Sequence, residues 1–470
     1  MVVPKCWLSS QIGTDLIPGR DLRPDDTPLG ILAFEAAAAM SRLVSLHFSM
    51  SDREILKLRS DTMRSQGVAY LNSTDQALLL RLACYEFMDD LDRAAATISR
   101  VGSRCRGNLT RDFARHYTVL KAGSADLDRL GIRLTKKGIE RRVKKMEKYI
   151  AVTAKLFAEV EVMDELEATE RKMVERWTRY SGPIPLQKDT ILGSDSFRLE
   201  LKSQRHKVKR LKDESLWAQG FDKAVGLMAE SAFAVFARIC VVFGPFVPGL
   251  PPVLVTDRIR VRFTQAHLKL RLYPKFSSGP IEKRRVAVDI PMRNSCPIFG
   301  AKASDPKPDM NWTKALEAHP DTVGVAGMAL RYANVILSAE KLLQSGVEEC
   351  AEREDVYEML PAGLRSTVRS KLRDSWRNRG PLDGSLAEGW KEAVARILAW
   401  LGPMAHDTIR WQEERNMDRR MRFHTNPRAL MIQTLHLSDR EKTEAAIAEV
   451  LVGLSCVCWY EERLRGSLRY

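Results

Sequence analysis

The sequence predicts a mostly α-helical fold of multi-helix bundles, with one long amphipathic helix and a poorly ordered basic insert. Three observations carry this reading. Apolar residues recur at steps of three and four along most of the chain. Capping signatures stand before several of these runs. Aromatics are only 7%, while the helix formers Ala, Leu, Arg and Glu abound. At 470 residues the chain has room for roughly two to four domains.

Residues 1–27 hold Pro, Gly and Asp and read as a flexible leader. A helical domain is expected over residues 28–110. Asp26 and Thr27 precede Pro28, which suits a cap followed by proline in the first turn. Leu29, Ala33, Ala36, Met40 and Leu43 then define one buried face. "SDRE" at Ser51–Glu54 and "STDQ" at Ser73–Gln76 read as capping boxes, the second before "ALLLRLACYEFMDDL". Gly102 is placed to end that helix.

Residues 111–250 read as a long helix and a central helical region. From 136 to 180 there is no Pro, and the seam Ile139, Val143, Met146, Ile150, Thr153, Phe157, Val160 is nearly heptad. After a three-residue slip, Met163, Leu166, Met173, Trp177 and Tyr180 resume it. An unbroken helix here is about 60 Å long and has to pack on a partner. "SGPIP" at Ser181–Pro185 stops it, and a second helical pattern spans Phe221–Phe243. Ile239–Thr256 is the longest uncharged stretch, but four prolines break it, so it reads as a buried helix end and a turn-rich segment. Residues 251–320 are rich in Pro and Gly and carry the basic run "RIRVRFTQAHLKLRLYP", the expected insert. Helix patterns return over 321–465, where "SDRE" at Ser438–Glu441 is again a capping box.

"TVGVAGMALRYANVILSAEKLL" (Thr322–Leu343) opens on two glycines. A phosphate loop needs Lys and Ser/Thr after the glycines, and here Met328 and Ala329 stand there. Val325, Met328, Tyr332, Val335, Ala339 and Leu342 make a helical seam instead. The glycines fit a close helix approach or the start of a helix.

The formal net charge of +15 favours an anionic partner or a well-solvated surface. Arg133–Lys148 holds eight Lys/Arg and two Glu, and Arg198–Lys212 holds seven and one, so each carries a net +6. The candidate contacts to an anionic partner are Lys136, Lys137, Arg141, Arg142, Lys144 and Lys145 in the first, and Lys207, Lys209 and Arg210 in the second. "KKGIERRVKK" and "RHKVKRLK" resemble nuclear-import or polyanion-binding patches. The eight cysteines show no disulfide spacing and read as reduced core thiols of an intracellular protein. "MVVPKCWLSS" has too short an apolar stretch for a secretory signal, Val2 stands where N-myristoylation needs Gly, and Cys6 is a candidate for acylation only as a lone Cys. No transmembrane helix is expected.

No catalytic, cofactor or metal residue is expected. His406-Asp407, with His424 and His436 as further ligands, is the one metal-dependent hydrolase alternative. A bare His-Asp pair lacks the converging ligands such a site needs. Cys456-x-Cys458 lies in an apolar helix and has no Cys or His beside it to complete a site.

Several segments resemble a known family. "LGILAFEAAAAMSRLVSLHFSMSDREILKLRSDTMRSQGVAYL" with "ISRVGSRC" is similar to an N-terminal plant domain of unknown function. "FDKAVGLMAE" and "ICVVFGPFVPGLP" resemble the middle piece of the same proteins. "TVGVAGMALRYANVILSAEKLL", "YEMLPAGLRSTVRSKLR", "WKEAVARILAWLGPMAHDTIRWQEER" and "TLHLSDREKTEAAIAEVLVGLSCVCWYE" resemble their C-terminal domain. The family is the plant PSK-simulator group and its shorter relatives. The resemblance implies a non-enzymatic, intracellular regulator of growth in phytosulfokine peptide-hormone signalling. It would act through unidentified signalling proteins, in the nucleus or at a membrane, with no cofactor. The alternative from the residues is a peripheral membrane or nucleic-acid binder driven by the basic clusters.

Overall fold

The computed structural model describes residues 29–123, 135–180, 195–214, 216–251, 316–345, 356–377, 384–415 and 423–467. These residues are helical throughout apart from turns, connecting segments and one isolated bridge between Thr322 and Asp439. The leader at 1–27 and most of the expected insert lie outside the described residues.

Four antiparallel helix pairs close the first bundle. They join α1 (Leu29–Ser49), α3 (Gln76–Gly102), α6 (Lys136–Tyr180) and α8 (Leu216–Phe243) in a ring. Side-chain contacts join each pair. Arg100 meets Glu35 between α3 and α1, and Phe34 meets Phe157 between α1 and α6. Arg142 meets Glu230 between α6 and α8, and Phe87 meets Phe243 between α3 and α8. Ala33, Ala36, Ala37, Met40, Leu43 and Val44 of α1 are buried at the centre, as the periodicity requires. The short α4 (Asn108–Arg111) and α5 (Phe113–Lys121) close one end, where Phe113 and Tyr117 join Phe233 and Phe236 in an aromatic cluster.

The long helix forms unbroken over its expected span, about 68 Å at 1.5 Å per residue. Its partner is in the chain. α7 (Asp195–Asp213) and α8 run back along it, so Glu170 meets Arg205, Glu159 meets Lys207, and Thr153 meets Trp217 in turn. Val143, Met146, Ile150 and Thr153 of the seam are buried, but Met173 is exposed. The seam therefore holds along the bundle and fades beyond it.

In the C-terminal part, α9 (Ala329–Ser345), α10 (Ala362–Arg377), α11 (Gly384–Arg415) and α12 (Arg440–Ser467) pack together. α11 and α12 are antiparallel, with Gly453 against Trp390 and Gly384 against Tyr460. By length and composition, Gly220–Phe243 and Arg440–Arg463 are apolar enough to cross a membrane. In the fold both are packed helices, α8 in the bundle ring and α12 against α10 and α11.

Three local expectations change. α3 is capped by Asp75, whose carboxylate accepts from the Ala77 and Leu78 amides, and not by Ser73. Asp439 accepts from the Lys442 amide at the start of α12, which leaves Ser438 for another task. The helix after the paired glycines begins only at Ala329, and Val325 is exposed rather than in the seam. Gly324 hydrogen-bonds the His436 carbonyl at 3.0 Å, in a place where a side chain would strike His436. Gly327 has φ of 65°, a turn that favours glycine.

Candidate interaction surfaces

The N-terminal bundle and the C-terminal helices are joined by an irregular strap, residues 423–439. Its two short 3-10 turns, Met431–Gln433 and Leu435–Leu437, leave backbone groups that no helix satisfies. Groups from the first 90 residues meet several polar groups along the strap. Ser41 donates to the His424 carbonyl and Ser45 to that of Asn426. Asn72 donates to the Ile432 carbonyl at 2.7 Å and accepts from the Ser438 hydroxyl at 2.8 Å. The Asp439 amide donates to the Leu71 carbonyl.

Glu86 is the centre of this seam. It is buried on α3, and one carboxylate oxygen accepts from the Trp411 indole at 2.8 Å and from Arg415. Its other oxygen accepts from the Met431 amide at 2.6 Å. One turn on, buried Asp90 lies 3.9 Å from Arg415 and 3.8 Å from Arg428. Burial pushes the Glu86 carboxyl above its ordinary value, while Arg415, Trp411 and Met431 oppose the shift. Burial also lowers the Arg42 guanidinium to about 10, partly offset by Asp90. The sequence reading missed this cluster. Its signal was present: Glu86 and Asp90 are four apart and fall on the face defined by Ala83, Phe87, Leu91 and Ala94.

The two basic clusters fare differently. On α6, Lys137, Arg141, Lys144, Lys145 and Lys148 are exposed along one face at helical spacing. None forms an ion pair or side-chain hydrogen bond among the described residues. Arg142 turns inward, with a side chain 12% exposed and 3.2 Å from Glu230. Lys136 lies in the first turn of the helix. On α7, Lys209 and Arg210 are exposed, whereas Lys207 is 2.7 Å from Glu159. Arg205 reaches both Glu167 and Glu170. The second cluster thus docks on the acidic half of α6.

The hydrolase residues do not converge. His406 Nε2 is 2.8 Å from Glu340. His436 stacks on Trp411, with ring centroids 5.5 Å apart. Asp407 accepts from Gln433 at 3.3 Å. Among the described residues, no group of three His, Cys, Asp or Glu is placed to hold a metal ion. Cys456 and Cys458 are buried in α12.

Two family models match the chain. A domain of unknown function (DUF3475) covers residues 31–87, and a protein of unknown function (DUF668) covers residues 322–410. The chain is similar to Protein PSK SIMULATOR 1 of Arabidopsis thaliana, 25% identical over 443 residues, covering 91% of this chain and 55% of that relative. Protein PSK SIMULATOR 3 of the same plant is 25% identical over 91% of this chain and 56% of its own length. Protein PSK SIMULATOR 2 is 22% identical, over 90% and 58%. The chain spans a little over half the length of these relatives. No solved structure matches it. The chain resembles the PSK-simulator proteins, with both domains in the order read from the sequence. The two matched segments also touch. Tyr70 packs on Trp400 at 5.4 Å between ring centroids, and Gly67 lies against Trp400 and Met404.

Proposed function

We propose that this chain is a non-enzymatic regulator of plant growth, acting in phytosulfokine-related signalling through contacts with other proteins in the nucleus. The names of its relatives support the growth-signalling class, and none of the matches names a reaction. The observation that carries a binding role is the α6 ridge. Five exposed cations, without a counter-charge among the described residues, form a field that steers an acidic partner and fixes its register. Charge reversal of Arg141, Lys144 and Lys145 to Glu tests this. Native pull-down and proximity labelling in plant cells should lose specific neighbours, while the melting temperature stays put. An unchanged set of neighbours rejects the reading.

The same ridge favours a second reading, docking to an anionic membrane or to nucleic acid. That reading predicts binding to vesicles or DNA that falls steeply with salt, because released counterions drive it. Metal analysis of the purified protein separates both readings from a cryptic hydrolase.

A further inference from the structure

A cleft opens where the two halves of the chain meet. It has a volume of about 280 Å³. That is the lower limit for small-molecule pockets and suits a ligand of few atoms. Ser49, Glu54, Lys57 and Thr62 line it from the N-terminal side, and Arg410 and Arg428 from the C-terminal side.

The polar groups on this wall are short of partners. Lys57 makes no ion pair, and the hydroxyls of Ser49 and Thr62 make no hydrogen bond, among the described residues. Ser49 is only 7% exposed. Lys57 is exposed and Thr62 half-buried, so with Ser49 they are free to meet an acceptor-rich occupant of the cleft. Three cations, Lys57, Arg410 and Arg428, and one carboxylate, Glu54, line it; Glu414 and Asp90 behind the wall answer the two arginines, which leaves Lys57 as the cation without an ion pair among the described residues. Arg410 is held in place, with Nε on Glu414 at 2.8 Å and Nη2 on the Pro427 carbonyl. Glu414 in turn accepts from the Ala429 amide at 2.8 Å, which fixes the strap beside the cleft. Arg428 is 14% exposed and shares Asp90 with Arg415. A pre-positioned guanidinium pair, an ammonium and two hydroxyls suit a tetrahedral oxyanion.

We infer that this cleft binds a phosphate-class oxyanion, whose contacts join α2 (Asp52–Ser60) and its flanks to the end of α11 and the strap. An occupant touching both sides stabilises the seam by mass action, because only the assembled fold binds it. This site is separate from the α6 ridge, and its test is separable from that of the proposed function.

The experiment is thermal denaturation of the full chain in inorganic phosphate, against chloride at matched ionic strength. Parallel arms use a soluble inositol phosphate and vesicles carrying a phosphoinositide, to separate free phosphate from a lipid headgroup. The expected result is a saturable rise in melting temperature with phosphate and none with chloride. Lys57→Gln and Arg410→Gln should each weaken the apparent affinity by about tenfold or more, the loss expected for a charge-assisted hydrogen bond. Since Arg410 also holds Glu414 and the Pro427 carbonyl, Lys57→Gln is the deciding variant. The Arg141, Lys144 and Lys145 reversal should leave the effect intact. A non-saturable rise, an equal rise in chloride, an effect indifferent to Lys57→Gln, or one lost in the ridge variant would overturn the inference.

Discussion

Glu86 and Arg415, 329 positions apart in the chain, form a buried ion pair across the seam between α3 and α11. The pair is shielded from water and shares its carboxylate with the Trp411 indole and the Met431 amide. Removing one partner leaves the other's charge largely buried, which typically costs about 3–5 kcal/mol. Arg415→Met and Glu86→Leu should each lose about that much in urea denaturation. Glu86→Leu with Arg415→Met should lose clearly less than the two single losses combined. Simple additivity would show that the two groups are not coupled.

Gly67, inside the first matched domain, tests how tightly the two matched segments pack. A Cβ there would stand 2.6 Å from the Trp400 carbonyl and 2.7 Å from the Met404 sulfur. The sulfur can move, but the helix backbone of α11 cannot without repacking. Gly67→Ala should therefore destabilise by about 1–3 kcal/mol, the usual range for overpacking. A melting temperature equal to that of the parent protein would show that the seam is loose.

Helix periodicity exposed most of the fold because each buried face is a local pattern. α1 and the seam of α6 follow from Met40 and Leu43, and from Val143, Met146 and Ile150, without knowledge of their partners. Long-range partnerships are not local patterns. Ser438 has the spacing of a cap, yet its hydroxyl serves Asn72, 366 positions away. Lys207 counts as a basic residue in its own run, but Glu159 answers it across the hairpin. Glu86 and Asp90 sit openly on an apolar face, but their cations come from the far end of the chain. The exposed ridge was legible because every residue in it lies on a single helix.

The seam also predicts a response to acid. His436 stacks on Trp411, and burial, with the nearby Arg415 charge, lowers its imidazole below the ordinary 6.5. The unfolded chain therefore binds a proton at a pH where the folded chain does not. The stability this gives is complete above pH 6.5 and is lost as pH falls through the depressed folded value. Glu86, raised by burial, works in the opposite sense and gains a contribution as pH falls toward 4.5. The readout is thus the difference between parent and His436→Gln, measured by denaturation across this interval. The parent should lose stability more steeply than the variant below pH 6.5. Parallel profiles would contradict the assignment.

Thr153 is the polar residue in the apolar seam of α6. It is 1% exposed, its hydroxyl donates to the Tyr149 carbonyl at 2.6 Å, and its oxygen accepts from the Trp217 indole at 2.8 Å. This bond sits where α7 gives way to α8, so it helps set the register of both helices on α6. Thr153→Val keeps the shape and removes the acceptor, leaving a buried donor that loses this bond at a cost of about 1–3 kcal/mol. Thr153→Ser keeps the oxygen and loses one methyl, about 1 kcal/mol. In urea denaturation, valine should therefore be the more harmful of the two despite its closer shape. If serine proves as harmful as valine or worse, the methyl rather than the hydrogen bond holds this point of the bundle.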